Sequence, residues 1–130
     1  MNLIIYNYYN EMLFNFYKAG MEAPVFSTPL KEMTVEAGNP LELAASINAF
    51  SEPVEVGWQK DNKPVNTNVK GTAASCKKGV CKLLIDSCSF ADSGQYSITV
   101  KNLFGSVTCS SKITIKGFHF VITSSFPEYF

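Results

Sequence analysis

Five stretches of the chain alternate apolar and polar residues with a period of two. Successive side chains of a β-strand point to opposite faces, so each stretch predicts a strand with one buried face. Strands with matching apolar faces bury them by packing in two layers, so the pattern predicts an all-β sandwich. The positions predicted to face inward are Leu41, Leu43, Ala45 and Ile47; Val54, Val56 and Trp58; Cys81, Leu83 and Ile85; Tyr96, Ile98 and Val100; and Val107, Cys109, Ser111, Ile113 and Ile115.

Turn-forming residues separate these strands, as expected for an all-β chain. An earlier short strand is predicted around residues 33–35. Gly79 supplies the positive φ that a tight hairpin needs. No run of helical period interrupts the region, so we expect little helix. The predicted turns are residues 37–40, 60–64, 77–79 and 102–105.

The two ends of the chain differ in composition from its middle. Residues 1–22 are dense in tyrosine, phenylalanine and asparagine, and residues 118–130 are similar. Polar residues such as Glu11 interrupt the first segment too often for a membrane span, and no basic residue precedes Lys18 as a secretory signal requires. We therefore expect one domain over residues 23–117, with both flanks outside it and no membrane segment.

Charge and residue types argue against several functional classes. Eleven basic residues balance eleven acidic ones, so a nucleic-acid partner is not expected. The single histidine, His119, has no ligands around it at metal-binding spacing. No phosphate-binding loop, zinc-type cysteine pair or nucleophile with its base is present, so we expect no metal, no cofactor and no catalysis. A small basic cluster, Lys77, Lys78 and Lys82, suits a solvated edge, and its alternative is an acidic partner.

Seven short motifs follow one another along the middle of the chain. They are Pro24 and Phe26; Gly38, Leu41, Leu43 and Ala45; Trp58 to Pro64; Leu83 and Ile85; Asp92 to Tyr96; Asn102 and Gly105; and Ile113 and Ile115. With these motifs in this order, the chain resembles the intermediate set of the immunoglobulin superfamily from about Ala23 to Gly117. The resemblance implies an immunoglobulin-like Greek-key β-sandwich of two antiparallel sheets.

The resemblance assigns structural roles to individual residues. Trp58 is expected to fill the space between the sheets, with Leu83 beside it in the core. Tyr96, after Asp92 and Gly94, matches a tyrosine corner, in which the buried ring's hydroxyl bonds to nearby backbone. Asp92 is expected to close that turn by accepting backbone N–H groups.

The main departure from the family pattern concerns its disulfide. The family's two bridging cysteines occupy the positions that hold Ala45 and Ile98 here. The chain is therefore expected to lack the inter-sheet disulfide, which suits a reducing compartment such as the cytoplasm.

Four cysteines are present, and two alternatives remain open for them. Buried or free thiols are favoured, because the missing core bridge and the compartment agree. The alternative is a local disulfide between Cys76 and Cys81, which flank the hairpin turn. No histidine stands near any cysteine in the sequence, so a thiolate nucleophile lacks its base.

Domains without the inter-sheet bridge are similar to those of titin, twitchin and related giant muscle proteins. The resemblance implies a fragment of a sarcomeric or cytoskeletal protein, a spacer and docking module whose partners are neighbouring immunoglobulin or fibronectin-like modules and filament proteins. It also implies a mechanical clamp between the first strand near Val25 and the last near Ile113. Binding is expected at edge strands or at the loops 50–53 and 102–104. The alternatives are an extracellular adhesion or receptor module, with Cys76–Cys81 as a replacement bridge, and an actin-binding adaptor.

Overall fold

The computed structural model describes residue 10 and the segments 22–48 and 55–117. The two segments contain nine β-strands and a single 3₁₀ turn, Phe90–Asp92, in agreement with the low helix content expected from the sequence. The strands are β1 (Val25–Thr28), β2 (Met33–Glu36), β3 (Leu41–Asn48), β4 (Glu55–Lys60), β5 (Lys63–Pro64), β6 (Thr72–Lys77), β7 (Val80–Ile85), β8 (Gly94–Asn102) and β9 (Gly105–Lys116).

The strands form two sheets that pack as a sandwich. One sheet has the order β1-β3-β7-β6, and the other has the order β2-β9-β8-β4-β5. The predicted all-β immunoglobulin-like sandwich is confirmed. One detail differs from two purely antiparallel sheets, because β2 runs parallel to β9, with Met33 opposite Ile113 and Val35 opposite Ile115.

The first strands are shared between the two sheets. β1 pairs with β3, with an irregularity in the register between Phe26 and Thr28, whereas β2 pairs with β9. Pro29, which has no N–H for a strand ladder, lies between them, and Leu30 is buried just after it. The prediction that the strand near Val25 pairs with the last strand is therefore wrong, because β9 pairs with β2 and not with β1.

The core lies between the sheets and is made of the inward positions of the alternating pattern. Every second residue is buried in β3, and in β8 from Tyr96 onwards, as the period of two predicts. Buried apolar residues of both sheets, with Leu30 and Cys88 from connecting segments, form one cluster: Leu30, Leu41, Leu43, Ala45, Ile47, Trp58, Cys81, Leu83, Cys88, Tyr96, Ile98, Val100, Ile113 and Ile115.

Two hairpins use two-residue turns with positive φ. Asp61 and Asn62 join β4 to β5 with φ of 51° and 67°, and Lys78 and Gly79 join β6 to β7 with φ of 52° and 78°. Such turns match the twist of the paired strands. Gly79 has no room for a side chain for two reasons: its φ is positive, and an added Cβ would lie 2.7 Å from the backbone oxygen of Ile47.

Several expectations fall outside the described residues. They concern nearly all of the flank 1–22, the flank 118–130 with His119, and the loop 50–53. In the part of the chain that the structure describes, no helix is long and apolar enough to cross a membrane.

Candidate functional site

A tyrosine-centred turn joins β8 to the 3₁₀ turn. The buried Tyr96 ring directs its hydroxyl to the backbone oxygen of Asp92 at 2.6 Å. Burial, followed by the negative charges of Asp92 and Asp61 and by Cys88, raises the pKa of Tyr96 to about 12. The hydroxyl therefore stays protonated and acts as a structural hydrogen-bond donor.

Two carboxylates order the same turn. The Asp92 carboxylate accepts the Ser89 backbone N–H at 2.8 Å, which closes the 3₁₀ turn. The Asp61 carboxylate accepts the Gln95 N–H at 3.0 Å, and a Cβ at Gly94 would lie 2.8 Å from its Oδ2 atom. Gly94 thus allows the β4–β5 turn to approach β8. Sequence reasoning missed Asp61, because its contact joins residues distant in the chain.

The position of the family's inter-sheet bridge is filled by apolar side chains. Ala45 lies opposite Cys81 within one sheet, and Ile98 lies between Trp58 and Cys109 in the other. Ala45, Trp58 and Ile98 belong to one buried cluster. Packing alone therefore joins the two sheets at this position.

Cys76 and Cys81 form a disulfide across the β6–β7 hairpin. The expectation of free thiols is wrong for this pair, and the alternative of a local bridge is present. The Asp86 N–H donates to the Gly71 oxygen at 2.8 Å, so hydrogen-bonded pairs recur at every second position of the hairpin. Cys76 and Cys81 fall at a pair without hydrogen bonds, where opposing Cα atoms come closest, and here they are 3.9 Å apart.

The other two cysteines are free thiols with local contacts. The buried Cys88 thiol donates to the Glu36 oxygen at 3.4 Å, and the Cys109 sulfur accepts the Leu30 N–H at 3.5 Å. Within the described segments no group of three or more potential metal ligands occurs. Both free thiols therefore make structural contacts, and Cys88 is buried while Cys109 is partly buried.

The β8–β9 turn is a candidate binding loop that the structure does describe. Leu103 is 85% exposed and Phe104 is 45% exposed. Asn102 is buried beneath them, donating to the Glu22 oxygen at 2.7 Å and accepting the Phe104 N–H at 2.8 Å. The turn is thus fixed at its base and presents two apolar side chains beside residue 22.

An open cavity of about 420 Å³ lies at one end of the sandwich, beside the start of β6. Its lining combines apolar side chains with charged ones and includes Thr72 of β6 and Ile85 of β7. The remaining lining residues are Lys60, Asp61, Lys63, Pro64, Val65, Asn66, Val69, Asp92 and Tyr96. Asp61, Asp92 and Tyr96 already bond within the domain, so they hold the cavity wall in shape.

The family's sequence model decides the class of this sandwich. The immunoglobulin I-set domain matches residues 24–115, which is most of the chain. This chain belongs to the immunoglobulin I-set family. The I-set domain shares 37% identity over 90 residues with the muscle M-line assembly protein unc-89 of Caenorhabditis elegans, an alignment that covers 69% of the chain and 1% of that protein.

Two further comparisons also match muscle proteins. Myosin-binding protein H of Homo sapiens is 33% identical over 95 residues, covering 73% of the chain and 20% of that protein. The solved structure of titin domains Z1Z2 in complex with telethonin matches with a TM-score of 0.70 and 32% identity, covering 75% of the chain and 50% of the titin chain. The chain thus spans a small part of its curated relatives, which are sarcomeric proteins that contain immunoglobulin domains. These relatives support a structural or binding module.

Proposed function

We propose that this chain is a non-catalytic structural and protein-binding module from a larger sarcomeric or cytoskeletal protein of muscle. In this role it spaces neighbouring immunoglobulin or fibronectin-like modules in the cytoplasm, contacts filament proteins, and binds neither nucleic acid nor membrane. The muscle relatives and the small share of their length that the chain spans support the proposal. Seven residues then serve stability rather than chemistry: Ala45, Trp58, Leu83, Asp92, Gly94, Tyr96 and Ile98.

The parallel pairing of β2 with β9 is the observation that carries the mechanical part of the proposal. β2 lies near the start of the domain and β9 at its end, so tension on the two ends pulls parallel neighbours in opposite directions. The bonds between them are then loaded together in shear. The Ala37 N–H donates to the Lys116 oxygen at 2.8 Å, and bonding alternates along a parallel strand, so the Val35 N–H also points towards β9 while the Thr34 N–H points away.

Single-molecule stretching of tandem repeats of residues 22–117 tests this role. Val35→Pro removes a bond between β2 and β9 and is expected to lower the unfolding force clearly. Thr34→Pro introduces the same ring one residue earlier, where the N–H faces away from β9, and is expected to leave the force nearly unchanged. Equal forces for wild type and both variants would refute the clamp.

A second candidate function, an extracellular adhesion or receptor module, is favoured by one observation. The Cys76–Cys81 disulfide is the kind of bond that persists in oxidising surroundings. Mass measurement after thiol alkylation of protein taken directly from its native source separates the candidates. Four alkylated cysteines support the muscle proposal, and two blocked cysteines with two alkylated ones support the extracellular candidate.

A further inference from the structure

The outer edge of β6 offers an open backbone ladder. β6 is the last strand of its sheet, and no other strand in the described segments pairs with its outer side. Bonding to β7 alternates along the hairpin, so the N–H and C=O groups of Ala74 and Cys76 point away from β7. Thr72 lies in the same outward series, but its N–H already donates to the Val69 oxygen at 3.1 Å. Among the described residues, the N–H and C=O groups of Ala74 and Cys76 therefore have no strand partner on this edge.

The side chains of β6 leave this edge accessible. Five of its six residues are exposed, and the side chains from Ala73 to Cys76 are all small. The devices that commonly block an edge include a proline, charged side chains and a bulge. None of them occurs between Thr72 and Cys76, and the charge of this strand is confined to Lys77 at its end. β6 is paired with β7 along its whole length, from Thr72 opposite Ile85 to Lys77 opposite Val80, so the strand is held in register before any partner arrives.

The two ends of β6 differ in chemistry. At its end, Lys77 and Lys78 are exposed and make no ion pair with any residue that the structure describes, whereas the nearby Lys82 pairs with Glu42 at 3.3 Å. At its start, Thr72 lines the 420 Å³ cavity together with apolar side chains such as Val65 and Val69. An added strand would thus meet two lysines without a described ion-pair partner at one end, and at the other a cavity of mixed lining whose apolar side chains include Val65 and Val69.

We propose that β6 is a strand-addition site for an extended segment of another protein, one with acidic residues at one end and an aromatic or large aliphatic residue at the other. The segment's backbone pairs with Ala74 and Cys76, its acidic end lies against Lys77 and Lys78, and its apolar side chain enters the cavity beside Thr72. An antiparallel arrangement, the more stable pairing, places the acidic end at the segment's amino terminus. This inference rests on the proposed docking role and names its surface.

A titration of the ¹⁵N-labelled full chain with a synthetic peptide tests the site. The peptide is about ten residues long, enough to span β6, with two amino-terminal glutamates, alternating threonine and valine, and a carboxy-terminal phenylalanine. Saturable shifts confined to residues 72–78 and the cavity lining are expected. A matched peptide with glutamines in place of the glutamates is expected to bind more weakly, by about threefold or more, because it loses two charge contacts.

Variants of the chain locate the contact. Ala74→Pro removes an outward donor but no bond to β7, and is expected to weaken binding about tenfold, the order expected for one lost backbone hydrogen bond. Thr34→Pro, the same change on the outward side of β2, is its control. Lys77→Glu with Lys78→Glu is expected to weaken binding without touching the ladder, and Lys112→Glu on β9 is the matched charge control. Thermal unfolding of each variant checks that the sandwich is intact.

Three outcomes of the titration overturn the proposal. They are no saturable shift at peptide concentrations of about 2 mM, the weak end of specific recognition; shifts that map away from β6; or unchanged affinity in both Ala74→Pro and the double lysine variant. Sedimentation that shows the free chain dimerising through β6, with Ala74→Pro abolishing the dimer, would assign the edge to a second copy and also overturn it. None of these outcomes bears on the β2–β9 clamp, so the spacer role is judged separately by stretching.

Discussion

The centre of the sandwich and its β6–β7 hairpin are held by different interactions. At the centre, Ala45, Trp58 and Ile98 are buried in one apolar cluster with no covalent link between the sheets. At the hairpin, most of β6 is exposed, and the Cys76–Cys81 disulfide joins it to β7. The covalent bond thus lies at the edge of the fold, where packing is weakest.

The difference follows from the area that each region buries. A tryptophan side chain buries roughly 150–250 Å², which at about 25 cal/mol per Å² stabilises the fold by roughly 4–6 kcal/mol. The alanines and serine of β6 have little apolar surface, and that surface remains exposed. The disulfide stabilises the hairpin, whose side chains bury little apolar area, whereas apolar packing stabilises the centre without a covalent bond.

The largest expected effect is at the centre. Trp58→Ala leaves a large cavity between the sheets and is expected to lower the free energy of unfolding by about 3–5 kcal/mol, measured by chemical denaturation. The Trp58 indole N–H has no acceptor among the described residues, so the loss is expected to come from packing. The control is Leu103→Ala, which removes an exposed large side chain and is expected to change stability by less than about 0.5 kcal/mol. Similar losses in the two variants would contradict packing at the centre as the source.

A smaller effect is expected at the hairpin. Reducing the Cys76–Cys81 bond releases a short loop, so the chain-entropy relation gives a loss of about 2 kcal/mol in the free energy of unfolding. Denaturation with and without a phosphine reductant measures it. Cys76→Ser is expected to show the same loss and no further response to reductant. If the reductant destabilises that variant equally, the bond is not the origin of the effect.

Much of the fold could be predicted from local pattern. The inward positions of β3 and β8 followed directly from alternation, since each lies in a strand with one buried face. The hairpin turn at Gly79 and the approach of Cys76 to Cys81 followed from the glycine's position. Whether Cys76 and Cys81 form a disulfide could not be predicted in this way. A disulfide and two free thiols both fit the same strand register, and redox conditions decide between them.

The remaining features depend on contacts between distant parts of the chain. β2 has only four residues, too few for periodicity to indicate its partner, and its parallel pairing with β9 joins opposite ends of the domain. The Asp61 contact with Gln95 and Gly94 joins two turns that no motif connects. The free edge of β6 likewise depends on which strands fill the neighbouring positions, which only the sheet order reveals.

The smallest loss of stability is expected at the tyrosine turn, which is held both by a buried ring, like the centre, and by one specific bond, like the hairpin. Tyr96→Phe keeps the ring and removes the bond to the Asp92 oxygen, so a loss of about 1 kcal/mol is expected near neutral pH. The pKa of Tyr96 is raised from its ordinary value of 10.0 to about 12 in the folded chain. The hydroxyl therefore contributes fully to the free energy of unfolding below pH 10, and this contribution is lost as the pH rises towards 12. Denaturation at neutral pH and near pH 11 is expected to show a smaller gap between wild type and variant at the higher pH. A constant gap would mean that the Tyr96 hydroxyl ionises as readily in the folded chain as in the unfolded one, and a widening gap that it ionises more readily when folded. Either result would contradict burial and the neighbouring carboxylates as the forces that keep this hydroxyl protonated.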